Sequence, residues 1–304
     1  MSTPVSEQRP AKRTKVPPAL SPAEPAKEFE VTISNPHSFK ALCEVVSNVL
    51  INVHFQLTQD GSFEGLRVDT VDPTMACMVK AKFACAVWLA APERAPSFCV
   101  RMKTLLMLFR HISAHHVLTL VKYADSPDLV LKVYHRFENS TCMEFIINTL
   151  EQEYTRPRMM DIASQYTVEI ALTQCKTIFK MSKDIKASST QFEIYENGEE
   201  ATFFRIVARG EDATVRYSFQ SSTTSQETAT GQKVYALQQR HHAEVGEMTR
   251  CYCESFSTEF LNLFLKSMEK QALQLTLVPN GPLIIRYHLG ADQSNVHFVL
   301  APRE

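Results

Sequence analysis

Leu118-Thr119-Leu120-Val121 and Leu275-Thr276-Leu277-Val278 are the same four residues, and each quartet follows a stretch with helical spacing. The next apolar run reads Leu129-Val130-Leu131-Lys132 in one case and Leu283-Ile284-Ile285-Arg286 in the other. Upstream, Leu105, Leu108 and Arg110 correspond to Leu261, Phe264 and Lys266. A repeated unit of roughly 130 residues is far longer than a solenoid repeat, so it indicates two copies of one domain.

Around these quartets the apolar pattern alternates as strands do. In the first half it predicts strands at Phe55–Leu57, Leu66–Val71, Met75–Phe83, Val117–Tyr123, Leu129–Tyr134 and Cys142–Leu150. In the second half it predicts Tyr166–Ala171, Gln191–Tyr195, Ala201–Ala208, Thr214–Phe219, Leu273–Val278, Leu283–Leu289 and Val296–Leu300. Helical spacing occurs at Pro36–Ile51, Arg101–Ser113, Leu172–Ile185 and Ser257–Lys270. The class is α+β, with domains at 28–150 and 166–304 joined by a polar linker, 151–165. Thr223–Gly231, rich in Ser and Thr, reads as a surface loop. Residues 1–27 are rich in Pro, Ala and charge and read as a disordered basic tail. Within it, Pro10–Pro17 has the make-up of a nuclear import signal or of a plain solvated basic tail.

The 304 residues are enough for two ordinary domains. No apolar run is long enough to cross a bilayer, so no membrane partner is expected. The eight cysteines are scattered, without CxxC, and are expected to be reduced thiols. No metal or cofactor is expected: His115-His116 and His241-His242 lack partners at ligand spacing, and no GxGxxG or GxxxxGK[ST] occurs. Nothing gathers the hydroxyls and carboxylates into a catalytic set, so the chain is not read as an enzyme. Net charge is −1, and the tail holds five basic against two acidic residues, which leaves −4 for the rest. Such a body can touch nucleic acid only through a local basic strip.

The helices offer that strip. Lys176, Lys180 and Lys183 follow i, i+4, i+7 and fall within about 40° of one another, with Ile178, Met181 and Ile185 opposite. Lys103 and Arg110 share a face of the second helix, Lys40 lies on the free face of the first, and Lys266 and Lys270 on that of the fourth. Solvated helix faces commonly carry lysine. Four helices in duplicated positions, each with free cations in an acidic body, suit contact with phosphates that reads no sequence.

The C-terminal residues Phe260-Leu261-Asn262-Leu263-Phe264-Leu265-Lys266, Pro282–Tyr287 and Leu300-Ala301-Pro302 resemble the end of proliferating cell nuclear antigen, the DNA sliding clamp family. Gly65-Leu66-Arg67-Val68 with Val71-Asp72 is similar to that family's first-domain strand and loop. The resemblance spans about residues 29–304 and implies a two-domain clamp fold of duplicated βαβ-type units, sheets outside and helices lining the side that faces duplex DNA. It implies a homotrimeric ring in the nucleus or at a viral replication site. The expected partners are duplex DNA, a clamp loader, and DNA polymerase and other proteins bearing short hydrophobic docking peptides. Lys40, Arg110, Lys180 and Lys266 would face DNA. A docking pocket would form around Val71, Met160, Ile162, Pro282, Val299 and Ala301. The ring contact would pair Cys142–Leu150, with Cys142, Glu144 and Ile146, against Ala213–Phe219 of a neighbour, with Val215, Tyr217 and Phe219. The chain departs from the family in having Glu259 and Thr177 where basic residues are usual and Val299 where an aromatic is usual. Alternatives with the same fold are an open herpesvirus-type processivity factor and a subunit of a heteromeric checkpoint clamp; a further one is a protein scaffold that never touches DNA.

Overall fold

A computed structural model describes residues 25–91, 96–137, 141–151, 157, 166–197, 201–221, 226–227, 233–239, 248–268, 272–290 and 293–303. The first half runs β1 (Lys27–Ile33), α1 (Pro36–Ser47), β2 (Asn52–Asp60), β3 (Phe63–Val71), β4 (Cys77–Ala84), β5 (Ala86–Leu89), β6 (Ser97–Arg101), α2 (Met102–Leu108), β7 (His116–Tyr123), β8 (Leu129–His135) and β9 (Thr141–Ile147). The second runs β10 (Tyr166–Ala171), α3 (Leu172–Asp184), β11 (Ser189–Asn197), β12 (Ala201–Arg209), β13 (Thr214–Ser221), β14 (Gln226–Glu227), β15 (Lys233–Gln239), β16 (Thr249–Ser257), α4 (Thr258–Leu265), β17 (Ala272–Leu277), β18 (Leu283–His288) and β19 (Asn295–Leu300). Lys27, assigned above to the tail, opens β1, where its ammonium pairs with Glu30 at 2.6 Å.

The duplication is topological. One sheet of the first half has the order β5-β1-β7-β8-β9, and the second half repeats it as β15-β10-β17-β18-β19. The remaining strands are ordered β6-β2-β3-β4 and, correspondingly, β16-β11-β12-β13. The halves are joined where β19 pairs antiparallel with β4, Leu300 opposite Cys77 and Asn295 opposite Lys82.

The shared quartets, however, are not in register. Ile33 and Ile170 are the last core residues before their helices; Ile33 pairs with Leu118 and Ile170 with Leu273. Leu118 thus corresponds to Leu273, two residues short of the quartet match. A slip of two leaves every inward side chain inward, so the apolar pattern cannot detect it.

The inward residues of all sheets and the apolar stripes of the helices form one core. It includes the Phe39–Phe55–Phe98 group in the first half and a close stack of Phe264 on Phe298 (centroids 4.3 Å) in the second. The seven cysteines whose side chains are described are free. Burial pushes the thiols of Cys43, Cys77, Cys99 and Cys175 up, and that of Cys85 to about 12, so they pack as small apolar groups.

Three helices are shorter than their spacing predicts. α1 ends at Ser47, four residues before Ile51. After α2 the chain tightens into a 3-10 turn over Phe109–His111, which buries Phe109. α4 stops at Leu265 because Met268 turns into the core and its carbonyl accepts a hydrogen bond from Lys176 Nζ. Burial of Met268 outweighs another turn of exposed helix.

Candidate nucleic-acid interface and docking seam

The four helices lie side by side. α2 packs on α1, α1 meets α4 through Asn48 Nδ2 to Ser267 Oγ (3.0 Å), and α4 packs on α3. Their buried stripes (Phe39, Leu42, Cys43 and Val46 of α1; Cys175, Ile178 and Phe179 of α3) face the sheets, leaving the opposite faces free.

Those free faces differ between the halves. In the first, Lys40 is half-neutralised by Glu44 one helical turn on (3.8 Å), while Lys103 and Arg110 are exposed. In the second, a cleft of about 950 Å³ opens between α3 and α4. Lys176, Lys180, Lys183, Lys186, Lys266 and Arg303 line it, against Asp184 and Glu259: six cations to two carboxylates. Lys180, Lys183 and Lys266 are exposed; Lys176 is partly buried because it is tied to the Met268 carbonyl. Lys270 lies outside the described residues.

Two of these cations escaped the sequence reading. Lys186 ends α3 in the left-handed conformation (φ 58°), where its N–H bonds the Lys183 carbonyl and that of Ala187 the Ser182 carbonyl. This Schellman end usually takes glycine, so nothing in the sequence signals it. Arg303 reaches the cleft because the C-terminus folds back: its N–H bonds the Ser255 carbonyl (2.8 Å) and its guanidinium the Ser188 carbonyl (2.7 Å). Only the chain path brings it there.

The second candidate site is the outer face of the seam between halves. Val71 and Val299 both lie opposite Met78, and Ile284 lies opposite Val299, giving one apolar row across β3, β4, β19 and β18. Pro282 precedes β18, and Ala301 follows β19 with its N–H on the Ala76 carbonyl (2.9 Å). Four expected pocket residues therefore share one patch; Met160 and Ile162 lie outside the described residues. Met78 and Ile284, which the sequence reading missed, complete the row, and their signal was the alternation within their own strands. Beside the patch, the buried Asp72 carboxylate accepts N–H bonds from Thr74 (2.8 Å) and Cys77 (2.6 Å). That turn starts β4 at Cys77 rather than at Met75, which it leaves exposed at φ 59°.

The third expected site comprises two strand edges. Among the described residues, β9 ends its sheet with no partner beyond β8. It carries exposed Glu144 and Ile146; Cys142 is on the same strand, its side chain undescribed. On β13, Val215, Arg216 and Tyr217 precede the point where β15 takes over the edge, at Phe219–Ser221. Phe219 is buried against Phe204 and its edge is occupied by β15, so it serves its own core instead of an edge.

No protein-family model matches the sequence, and no curated protein matches it. Among solved structures, proliferating cell nuclear antigen from Thermococcus kodakaraensis is similar at TM-score 0.68 and 15% identity, over 90% of this chain and 100% of that one. Proliferating cellular nuclear antigen from Entamoeba histolytica is similar at TM-score 0.68 and 15% identity, over 91% of this chain and 100% of that one. The duplicated sheets, the row of helices and these likenesses agree: the chain has the two-domain sliding-clamp fold of proliferating cell nuclear antigen.

Proposed function

We propose that the chain is a DNA sliding clamp. Three copies close into a ring around duplex DNA, loaded by a clamp loader in the nucleus or at a viral replication site. The ring holds DNA polymerase and other proteins bearing short hydrophobic docking peptides, and performs no chemistry on the DNA.

The observation that carries this reading is the pair of strand edges. Inside the chain, the edge strand of one half, β19, is joined to the edge strand of the other, β4. Their topological counterparts are β9 and β13, and β9 and the Thr214–Ser218 stretch of β13 lack such a partner among the described residues. A second copy can therefore join β9 to β13 between chains as β19 joins β4 within one, satisfying the open backbone groups. The side chains support it: Ile146 is 67% exposed on β9, while Glu144 on β9 and Arg216 on β13 carry opposite charge. Repeating the contact continues the helix row from α3 to the next copy's α2, so the basic free faces line one hole. Phosphate contacts of this kind give no sequence register, which suits a clamp that slides.

Sedimentation of the full chain over a range of concentrations tests the ring, followed by retention on nicked circular against linear duplex. A constant mass of three chains, with DNA retained only when circular, supports the proposal. A monomer or dimer held on DNA by salt-sensitive contact alone replaces it with an open processivity factor.

A further inference from the structure

The register of the seam fixes more than the apolar row. Two residues along each strand, about 6.6–6.8 Å away, a second row reads Asp69, Lys80, His297, Arg286 and Gln274. One step further lie Arg67, Lys82, Asn295 and His288. Four permanent cations thus stand side by side on the outer face, next to the apolar row Val71–Met78–Val299–Ile284.

Neutralisation within the chain is partial: Asp69 stands directly opposite Lys80, whereas the cross-strand neighbours of Lys82 are Arg67 and Asn295 and those of Arg286 are His297 and Gln274. Arg67 is paired with Asp60 (2.7 Å), and its guanidinium and the Lys82 ammonium lie over the Phe63 ring at 5.3 and 5.5 Å. Arg286 bonds the neutral amide of Gln274 (2.9 Å). Across the two rows four permanent cations thus stand with the single carboxylate of Asp69. His297 registers the field: burial first, then Arg286, His288, Lys80 and Lys82, push its pKa down to about 4, so it is neutral at pH 7. The Nε atoms of Arg67 and Arg286 and Nε2 of His297 are shielded and meet no hydrogen-bond acceptor among the described residues. Arg67 and Lys82 stand directly opposite each other, a like-charge pair that opposes sheet stability and so does not serve the fold.

We propose that this band selects docking partners whose acidic residues lie directly beside their apolar anchors. The anchors cover the Val71–Met78–Val299–Ile284 row, and the carboxylates reach Lys80, Lys82, Arg286 and Arg67. The inference rests on the docking-platform reading above and adds the charge of the partner segment. A peptide fits better than nucleic acid because the apolar row runs parallel to the cations at one strand step. A phosphate backbone has nothing to bury there, whereas an acidic, apolar segment covers both rows.

Fluorescence anisotropy of two labelled synthetic peptides against the full chain tests this. Both carry the same apolar core, one flanked by glutamates and the other by lysines. The glutamate peptide should bind about tenfold more tightly at low salt, with the advantage shrinking at high salt. Lys80→Glu with Arg286→Glu should reverse the order, and Val299→Asp should abolish both, with the mass of the assembly unchanged. Equal binding of both peptides, still lost in Val299→Asp, overturns the charge selection and leaves the docking platform standing. Binding of neither, as when another part of this chain covers the band, overturns the inference and the platform together. Displacement of the glutamate peptide by duplex DNA, sensitive to the same charge reversals, reassigns the band to nucleic acid and overturns the inference.

Discussion

The halves of this chain share one strand order, except that β15 runs parallel to β10 where β5 runs antiparallel to β1, and have opposite surface habits. In the second half, β19 is paired along its length with β4, and its helices frame a cleft with six cations. In the first half, β9 is an open edge among the described residues, and the helix face carries scattered cations with Lys40 held by Glu44. Leu129 lies opposite Ile147 as Leu283 lies opposite Leu300, so three residues earlier Glu144 of β9 corresponds to His297 of β19. One is half-exposed beside Lys132 (3.9 Å); the other is half-buried and held neutral first by desolvation and then by neighbouring cations. Core positions must fill the same space in both copies, so they stay alike; the free faces diverge according to what each meets.

The strongest way to break the comparison is to spoil the open edge. Ile146→Asp with Arg216→Glu should reduce the assembly from three chains to one in sedimentation, with thermal unfolding of the chain little changed. Persistence of the trimer would mean that β9 is not the counterpart of β19 in assembly. The next test addresses the paired edge. The pKa of His297 is lowered from the ordinary 6.5 to about 4, so its contribution is full above pH 6.5 and is lost as pH falls toward 4. Between pH 7 and 4, wild type should lose about 3 kcal/mol more stability than His297→Gln in urea titrations. Equal losses would show that the seam does not hold the ring neutral.

The helix faces can be compared directly. Lys180→Glu with Lys183→Glu should lower polymerase stimulation about tenfold, and Lys103→Glu with Arg110→Glu only about twofold to threefold, since fewer cations are clustered there. A larger loss from the first-half pair would reverse the assignment of the main DNA contact. The smallest effect concerns helix ends. α1 ends on Asn48 with ordinary helical dihedrals, whereas α3 ends on Lys186 in the left-handed region. Lys186→Gly should therefore raise stability by about 0.5–1 kcal/mol in thermal melts, through relief of that strain. No gain would mean that contacts of the Lys186 side chain offset it.

Most strands, the four helices, the duplication and the free faces of the helices were legible because apolar side chains repeat every two or every 3.6 residues whatever the tertiary context. β1, β5, β6, β15 and β16 were not, and β14 lies in the stretch read as a surface loop. The Lys180–Lys183 face needed only helical geometry. Lys186 and Arg303 were not legible: one joins the cleft through a helix end that usually takes glycine, the other through a fold-back of the C-terminus held by carbonyls of Ser255 and Ser188. The family resemblance implied Phe219 at the ring contact, but only pairing tells which edge another strand already holds.

By itself, then, the sequence determined which faces are apolar, which are charged, and that one domain occurs twice. Tertiary structure alone decided the pairing of β19 with β4, the two-residue offset of the matching quartets, and the assembly of Arg67, Lys80, Lys82 and Arg286 into one band. The reason is physical: periodicity fixes the side of a strand on which a residue lies, whereas register and neighbour depend on contacts between segments far apart in the chain.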